Sequence, residues 1–470
     1  MDKHNILFIV IDSLRADHTP ICGYERDTTP SISVIENDGF EFSNVFSAAP
    51  WTPPSHASMF SGLYPSHHGY FEGGMSVDSP HPLLAETLSR RGYETFGAVR
   101  NWHVDGQKDV TRGIKNFLNT YRLPKVPKNF HDLNKYYLSL LKGYFNLARD
   151  SVSTKRLPSD HISTEYISTN IHNSNTPFFS FINIAAPHSP YAPPKRFAEH
   201  FESFDRSEVD MNFLRSLSMI DGNGLREFLT GQLDVPDTAW KAIQDWYDGE
   251  ILFADSLVSR LISKLKREGL YDETIVIITS DHGEHFGENG RASHGYSLYD
   301  ELLHVPLVIK PAANSHSRPF NTDKMISLVD LYPTILSELN IDVPQTIDGT
   351  DIFSEYERDN IFAEYSPPET TGASPEEWVD SPVNQDIKDD LSQPLQCVRT
   401  DEYKYILKHR KGGELYKMER ESPKDRLLTD IDREDLRDLI TEQLGTDFGG
   451  SHQYSLDAKS KKNLENLGYL

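Results

Sequence analysis

The sequence holds 470 residues with 37% hydrophobic content and a formal net charge of −24, enough chain for one large α/β domain plus a smaller one, because single cores stop growing at roughly 250–300 residues. The acidic balance argues against a nucleic-acid partner, which needs a basic surface. No apolar run approaches the roughly 18–20 residues of a membrane span, and the two cysteines, Cys22 and Cys397, match neither a disulfide framework nor a zinc pattern; a soluble, cytoplasmic protein with no transmembrane segment is the expectation.

In chain order, the opening looks superficially like a signal peptide, but its apolar run is short and stops at Asp12 with no small-residue cleavage site, so residues 6–11 read as the first buried strand. Pro50-Trp51-Thr52-Pro53-Pro54 then leads into a helix-compatible stretch. Proline in a first helical turn is tolerated because its missing N–H had no intrahelical partner, and this puts Thr52 at a helix N-terminus. Further apolar strands at 95–99, 178–184, 274–279 and 305–309 alternate with helical patterns. Such alternation predicts a parallel sheet covered on both faces. The clearest helix spans 240–268, with Ile243, Trp246, Ile251, Ala254, Val258, Leu261 and Leu265 at three- and four-residue spacing and Gly269 at its end.

Three stretches break the rhythm, at 123–160, 204–237 and 366–394; the last, dense in Pro, Ser and acids, reads as a linker or lid. Antiparallel strands follow within 396–407 and 413–418, then a helix near 433–444. The expected architecture is α/β: a large mixed, mostly parallel sheet sandwiched by helices over 1–365, a linker or lid at 366–394, and a small C-terminal α+β subdomain at 395–470.

Three features carry chemistry. Asp12 ends a strand, where open α/β sheets assemble their sites, although a turn or helix cap is the commoner role for such an aspartate. Asp281 and His282, in Ser280-Asp281-His282-Gly283-Glu284 after the strand at 274–279, offer a hard oxygen and an imidazole nitrogen, a pairing that suits Zn or Mn better than Ca. Thr52, at a helix N-terminus, meets free N–H groups and the positive end of the helix dipole, which favour a tetrahedral anion.

Together these stretches resemble, in order and over nearly the whole chain, the sulfatase branch of the alkaline phosphatase superfamily. Residues 10–17, beginning Val10-Ile11-Asp12-Ser13, look like its opening metal motif, and Thr52 to Gly62 like its nucleophile motif. Pro187-His188-Ser189-Pro190-Tyr191 resembles the substrate-histidine segment; residues 280–306, with His294-Gly295-Tyr296, continue the likeness. The resemblance implies Asp12, Asp281 and His282 as metal ligands, with Thr52 as both ligand and nucleophile. His188 and His294 would contact the anionic group, His56 stands in place of the motif's arginine, and Asn101 falls where the family has Lys or Asn near the site, with His103 a further candidate.

Departures refine this. Ser13 replaces a second aspartate, which with His282 beside Asp281 favours one Mn or Zn ion, with Ca the alternative; a second metal lacks obvious ligands. Thr52 cannot become the formylglycine of sulfatases, so no formylglycine is expected. Its metal-bound alkoxide would attack in line on a sulfate, phosphate or phosphonate ester, with phosphoryl chemistry favoured and His294 or His56 protonating the leaving alcohol. The substrate would be a small anionic ester, such as a sulfated or phosphorylated glycan or lipid headgroup. Competing readings are an inactive relative that binds an anionic ligand and a soluble phosphoglycol or phosphoethanolamine transferase. A dinucleotide site is disfavoured because no Gly-x-Gly-x-x-Gly follows a strand.

Overall fold

The computed structural model describes residues 4–35, 38–71, 76–101, 104, 110–120, 159–174, 177–204, 209–219, 222–313, 321–367, 385–410, 412–419, 422–427 and 434–445. Asn5–Ile11 lies at the centre of a seven-stranded sheet. Across the sheet the strands run Phe40–Phe42, Leu307–Lys310, Thr274–Thr279, Asn5–Ile11, Phe178–Ile184, Glu94–Val99 and Asn116–Asn119. All neighbours pair in parallel except around Leu307–Lys310, which is antiparallel to both of its partners. The expected mixed, mostly parallel sheet is therefore present.

The alternation of side chains along each strand divides the core in two. Leu7, Ile9 and Ile11 face one side, with Phe178, Ile182, Ile184, Val276 and Ile278 and the helix Asp237–Arg267. Ile6, Phe8 and Val10 face the other, with Phe179, Phe181, Ile275 and Ile277, Phe60 of helix Thr52–Ser61, and Leu331 and Ile335 of helix Leu331–Glu338. A strand buried on both faces reads as a continuous apolar run, which is why Ile6 to Ile11 contains no polar residue.

The long helix begins at Asp237, three residues earlier than its apolar spacing indicates, because Pro236 supplies an extended residue ahead of the first turn. Gly269, at φ +69°, follows its end, as expected. The polar stretch at 204–237 contains two short helices, Met211–Ser218 and Asn223–Leu229, held by Leu214, Leu217, Leu225 and Leu229 against the first core. Helix Gln385–Leu391 lies within the expected linker; residues 368–384, like residues 121–158 and His103, fall outside the described residues.

A second, five-stranded antiparallel sheet takes Ile361–Tyr365, Leu395–Arg399, Tyr403–Lys408, Gly412–Glu419 and Ser422–Leu427 in order. Ile361–Tyr365 pairs directly with Leu395–Arg399, so the chain enters this sheet ahead of residue 366. Helix Glu434–Leu444 covers it through Ile440 and Leu444. Among the described residues, no helix is long and apolar enough to cross a membrane.

Candidate active site

The first strand delivers Asp12 to its carboxyl-terminal edge, and the neighbouring strand Thr274–Thr279 delivers Asp281 and His282 beside it. All three are buried, and one ligating atom from each lies within 4.8 Å of the others. His282 Nε2 stands 3.8 Å from Asp12 Oδ1 and 3.6 Å from Asp281 Oδ2. His282 Nδ1–H donates to the carbonyl of Gly283 at 2.8 Å, which leaves the Nε2 lone pair directed at the carboxylates. This backbone partner fixes the tautomer a metal ligand needs.

Two buried carboxylates side by side repel. Burial and the Asp281 carboxylate raise Asp12 well above the usual carboxylic range. Burial pushes Asp281 in the same direction but is outweighed by His282 and His56, which lower it. No described residue donates a hydrogen bond of normal geometry to Asp281 Oδ2. An acceptor-rich, buried cluster with an orphaned carboxylate oxygen and an imidazole lone pair fits a divalent cation, and both N and O donors are present for Mn or Zn.

Thr52 opens the helix Thr52–Ser61, with prolines at the next two positions. Its hydroxyl donates to His282 Nε2 at 3.2 Å, so the candidate nucleophile meets the cluster at the positive end of a helix. Ser55, one turn on, donates to the carbonyl of Asp281 at 2.7 Å and ties the helix to the ligand loop. His56 is wholly buried; its Nδ1–H donates to the carbonyl of Thr52 at 3.0 Å and lies 3.6 Å from Asp281 Oδ2. That places His56 beneath Thr52.

Asn101 follows the strand Glu94–Val99, and its Nδ2 reaches Asp12 Oδ2 at 3.5 Å; Asn119 donates to its carbonyl at 2.8 Å and holds it there. His188 and His294 arrive from separate loops with ring centroids 4.8 Å apart, and His294 lies 4.6 Å from His282. His188 Nδ1 is committed to the carbonyl of Ser189 at 2.7 Å, and His294 Nδ1 to Glu284 Oε1 at 3.0 Å. Burial lowers His188 to about 3, assisted by His294, and lowers His294 to about 4.

Sequence reasoning passed over Asn183 and Glu284, and noted Ser13 only as a replaced aspartate. Ser13 adopts φ +63°, a left-handed conformation costly for a non-glycine residue, which turns its N–H onto Asp281 Oδ1 at 3.1 Å and its hydroxyl onto Asp12 Oδ1 at 3.1 Å. Asn183, paired in register with Val10, is buried beside Asp12 and favours its charged form. Glu284 is fully buried, and burial raises it to about 7. Of Asn183 and Glu284, only Glu284 had a signal, its place in Asp281-His282-Gly283-Glu284.

A family model described as Sulfatase matches residues 4–341. An ulvan-active sulfatase of Formosa agariphila is 25% identical over 355 residues, covering 74% of this chain and 64% of that protein. Arylsulfatase K of Xenopus laevis is 26% identical over 365 residues, covering 74% of this chain and 65% of its own length. The chain is thus matched to a little under two thirds of each relative. Among solved structures, a phosphonate monoester hydrolase from Silicibacter pomeroyi superposes with a TM-score of 0.67 at 18% identity, covering 94% of both chains.

Proposed function

Because the chain belongs to the sulfatase family, we propose that it is a metal-dependent hydrolase of small anionic esters in which Thr52 is the nucleophile and phosphorus esters are favoured over sulfate esters. The observation that carries this reading is the Thr52 hydroxyl, at a helix N-terminus, 3.2 Å from His282 Nε2 within the Asp12, Asp281 and His282 cluster. Asp12, Asp281 and His282 would hold one divalent ion, Mn or Zn by donor type, which would lower the pKa of the nucleophile's hydroxyl and polarise the ester.

Thr52 Oγ1 gives up its proton to solvent and bonds to phosphorus or sulfur as the bond to the leaving oxygen breaks, and the leaving alkoxide takes a proton from His294 Nε2–H and departs as the alcohol. The resulting ester on Thr52 has no geminal hydroxyl through which to expel its anion, so water must attack phosphorus or sulfur in a second displacement that frees Thr52. Phosphorus accommodates two such displacements readily, which is the chemical basis for favouring it. His188 and His294, each with Nδ1 committed elsewhere, present Nε2 to the anionic group. His56 acts as a positioning residue: from beneath the helix it fixes the carbonyl of Thr52 and adjoins Asp281.

The test is an assay of metal-stripped protein resupplied with Mn, Zn or Ca against matched aryl sulfate, phosphate monoester, phosphate diester and phosphonate monoester substrates. Thr52→Ala should lower kcat by at least about 10³-fold. Full activity of that variant with metal supplied would refute the nucleophile assignment, and Thr52-dependent turnover of sulfate alone would overturn the phosphorus preference. The related proteins whose descriptions name sulfatase activity keep the sulfate arm essential.

A further inference from the structure

Glu284 has no place in the nucleophile or ligand set, yet its side chain is wholly buried at the back of the site. Its Oε1 is 3.0 Å from His294 Nδ1. Tyr191 belongs to the Pro187-His188-Ser189-Pro190-Tyr191 loop that carries His188 to the edge of the His294 ring. The two imidazoles meet edge to face with centroids 4.8 Å apart. Tyr191 is itself locked by Tyr247 and Phe286, at 5.7 and 5.9 Å between ring centroids, and Tyr247 donates to the carbonyl of Ser13 at 2.6 Å.

We propose that Glu284 is a positioning residue for His294: by engaging His294 Nδ1 it turns Nε2 toward the ester, beside the His188 ring that meets the same anionic group. This rests on the reading that Thr52 and its cluster cleave an ester. An imidazole free to rotate about its Cβ–Cγ bond presents Nε2 to the site only part of the time, and supporting partners of this kind are worth about 10- to 100-fold in related settings.

The test is a double-mutant cycle on the metal-loaded full chain. Glu284→Met fills the same space without an acceptor, and His294→Ala removes the ring it positions. On whichever ester the Thr52-dependent assay identifies, Glu284→Met should lower kcat about 10- to 100-fold with a smaller change in KM. In the His294→Ala background the same substitution should change kcat less than threefold, because its target is gone. Losses that multiply in the double variant would overturn the inference and leave a merely structural carboxyl group. Orthovanadate affinity, measured calorimetrically, gives the same cycle without turnover. If Glu284→Met does not fold, Glu284→Gln serves: a neutral acceptor should cost roughly three- to tenfold, again only when His294 is present, and no loss or a persistent loss would refute the proposal. Activity retained by Thr52→Ala would instead sink the underlying functional reading.

Discussion

Ser13 shows how one residue can be strained and useful at once. Its left-handed backbone aims a peptide N–H at Asp281 and a hydroxyl at Asp12, so it orients both carboxylates without adding charge. Aspartate also tolerates this conformation. Ser13→Asp should therefore raise affinity for Ca relative to Mn and Zn, since a further hard oxygen suits calcium's larger oxygen-rich shell; equilibrium dialysis against each ion would check this, and an unchanged order of affinities would contradict it. Thr52→Ser keeps the hydroxyl and should keep turnover within about tenfold, in contrast to Thr52→Ala. Asp12, Thr52, Asp281 and His282 could be singled out in the sequence because each sits at an element end, but their ligand and nucleophile roles were implied only by the family resemblance. Ser13's backbone angle and Asn183's contact with Asp12 were not, since one depends on the loop's path and the other on strand register.

Elements were readable in proportion to their length and burial. The strands Asn5–Ile11, Phe178–Ile184 and Thr274–Thr279 announce themselves as apolar runs, whereas the edge strands Phe40–Phe42 and Asn116–Asn119 are too short to show a period. Leu307–Lys310 carries the apolar signature of a buried strand, but its antiparallel direction is set by the connection through the short helix Asp300–Leu303. The two helices inside 204–237 escaped notice because each turns only a few leucines inward. The helix Thr52–Ser61 is anchored from within: Phe60 meets Phe8 and Phe181 of the sheet at 5.9 and 5.0 Å between centroids. Phe60→Ala should cost about 3–5 kcal/mol in denaturant unfolding, and activity should fall beyond the loss of folded protein because Thr52 rides on the same helix. Gly283 has similar leverage, since a Cβ there would meet the carbonyl oxygen of Glu301 at 2.0 Å.

At the scale of the molecule, two sheets share one core boundary. Phe46, Leu298 and Leu303 of the first region pack with Ile361, Tyr365, Leu395 and Ile406 of the second sheet, while Glu364 accepts from the Ser66 N–H at 2.7 Å. Removing residues 366–470 would strip Ile361–Tyr365 of its partner and expose that cluster; the truncated chain should be recovered insoluble, and a soluble, monomeric, metal-binding fragment would refute this. Acid stability is also distributed. Burial lowers His68 to about 3 from an ordinary 6.5; the Tyr70 N–H donates to its Nδ1, and its Nε2 pairs with Ser58. Between those pH values the unfolded chain binds a proton the folded one does not, so this contribution to stability falls as pH drops through that window. His68→Gln should reduce the pH slope of unfolding free energy there by up to about 1.4 kcal/mol per unit. The site itself is drawn from positions 12, 52, 101, 188, 281 and 294, segments separated by most of the described catalytic region yet adjacent at one sheet edge. No stretch of chain can assemble those groups alone, so a divalent ion held there would not be captured early in folding, and its stoichiometric uptake would be a headcount of molecules whose entire sheet has closed.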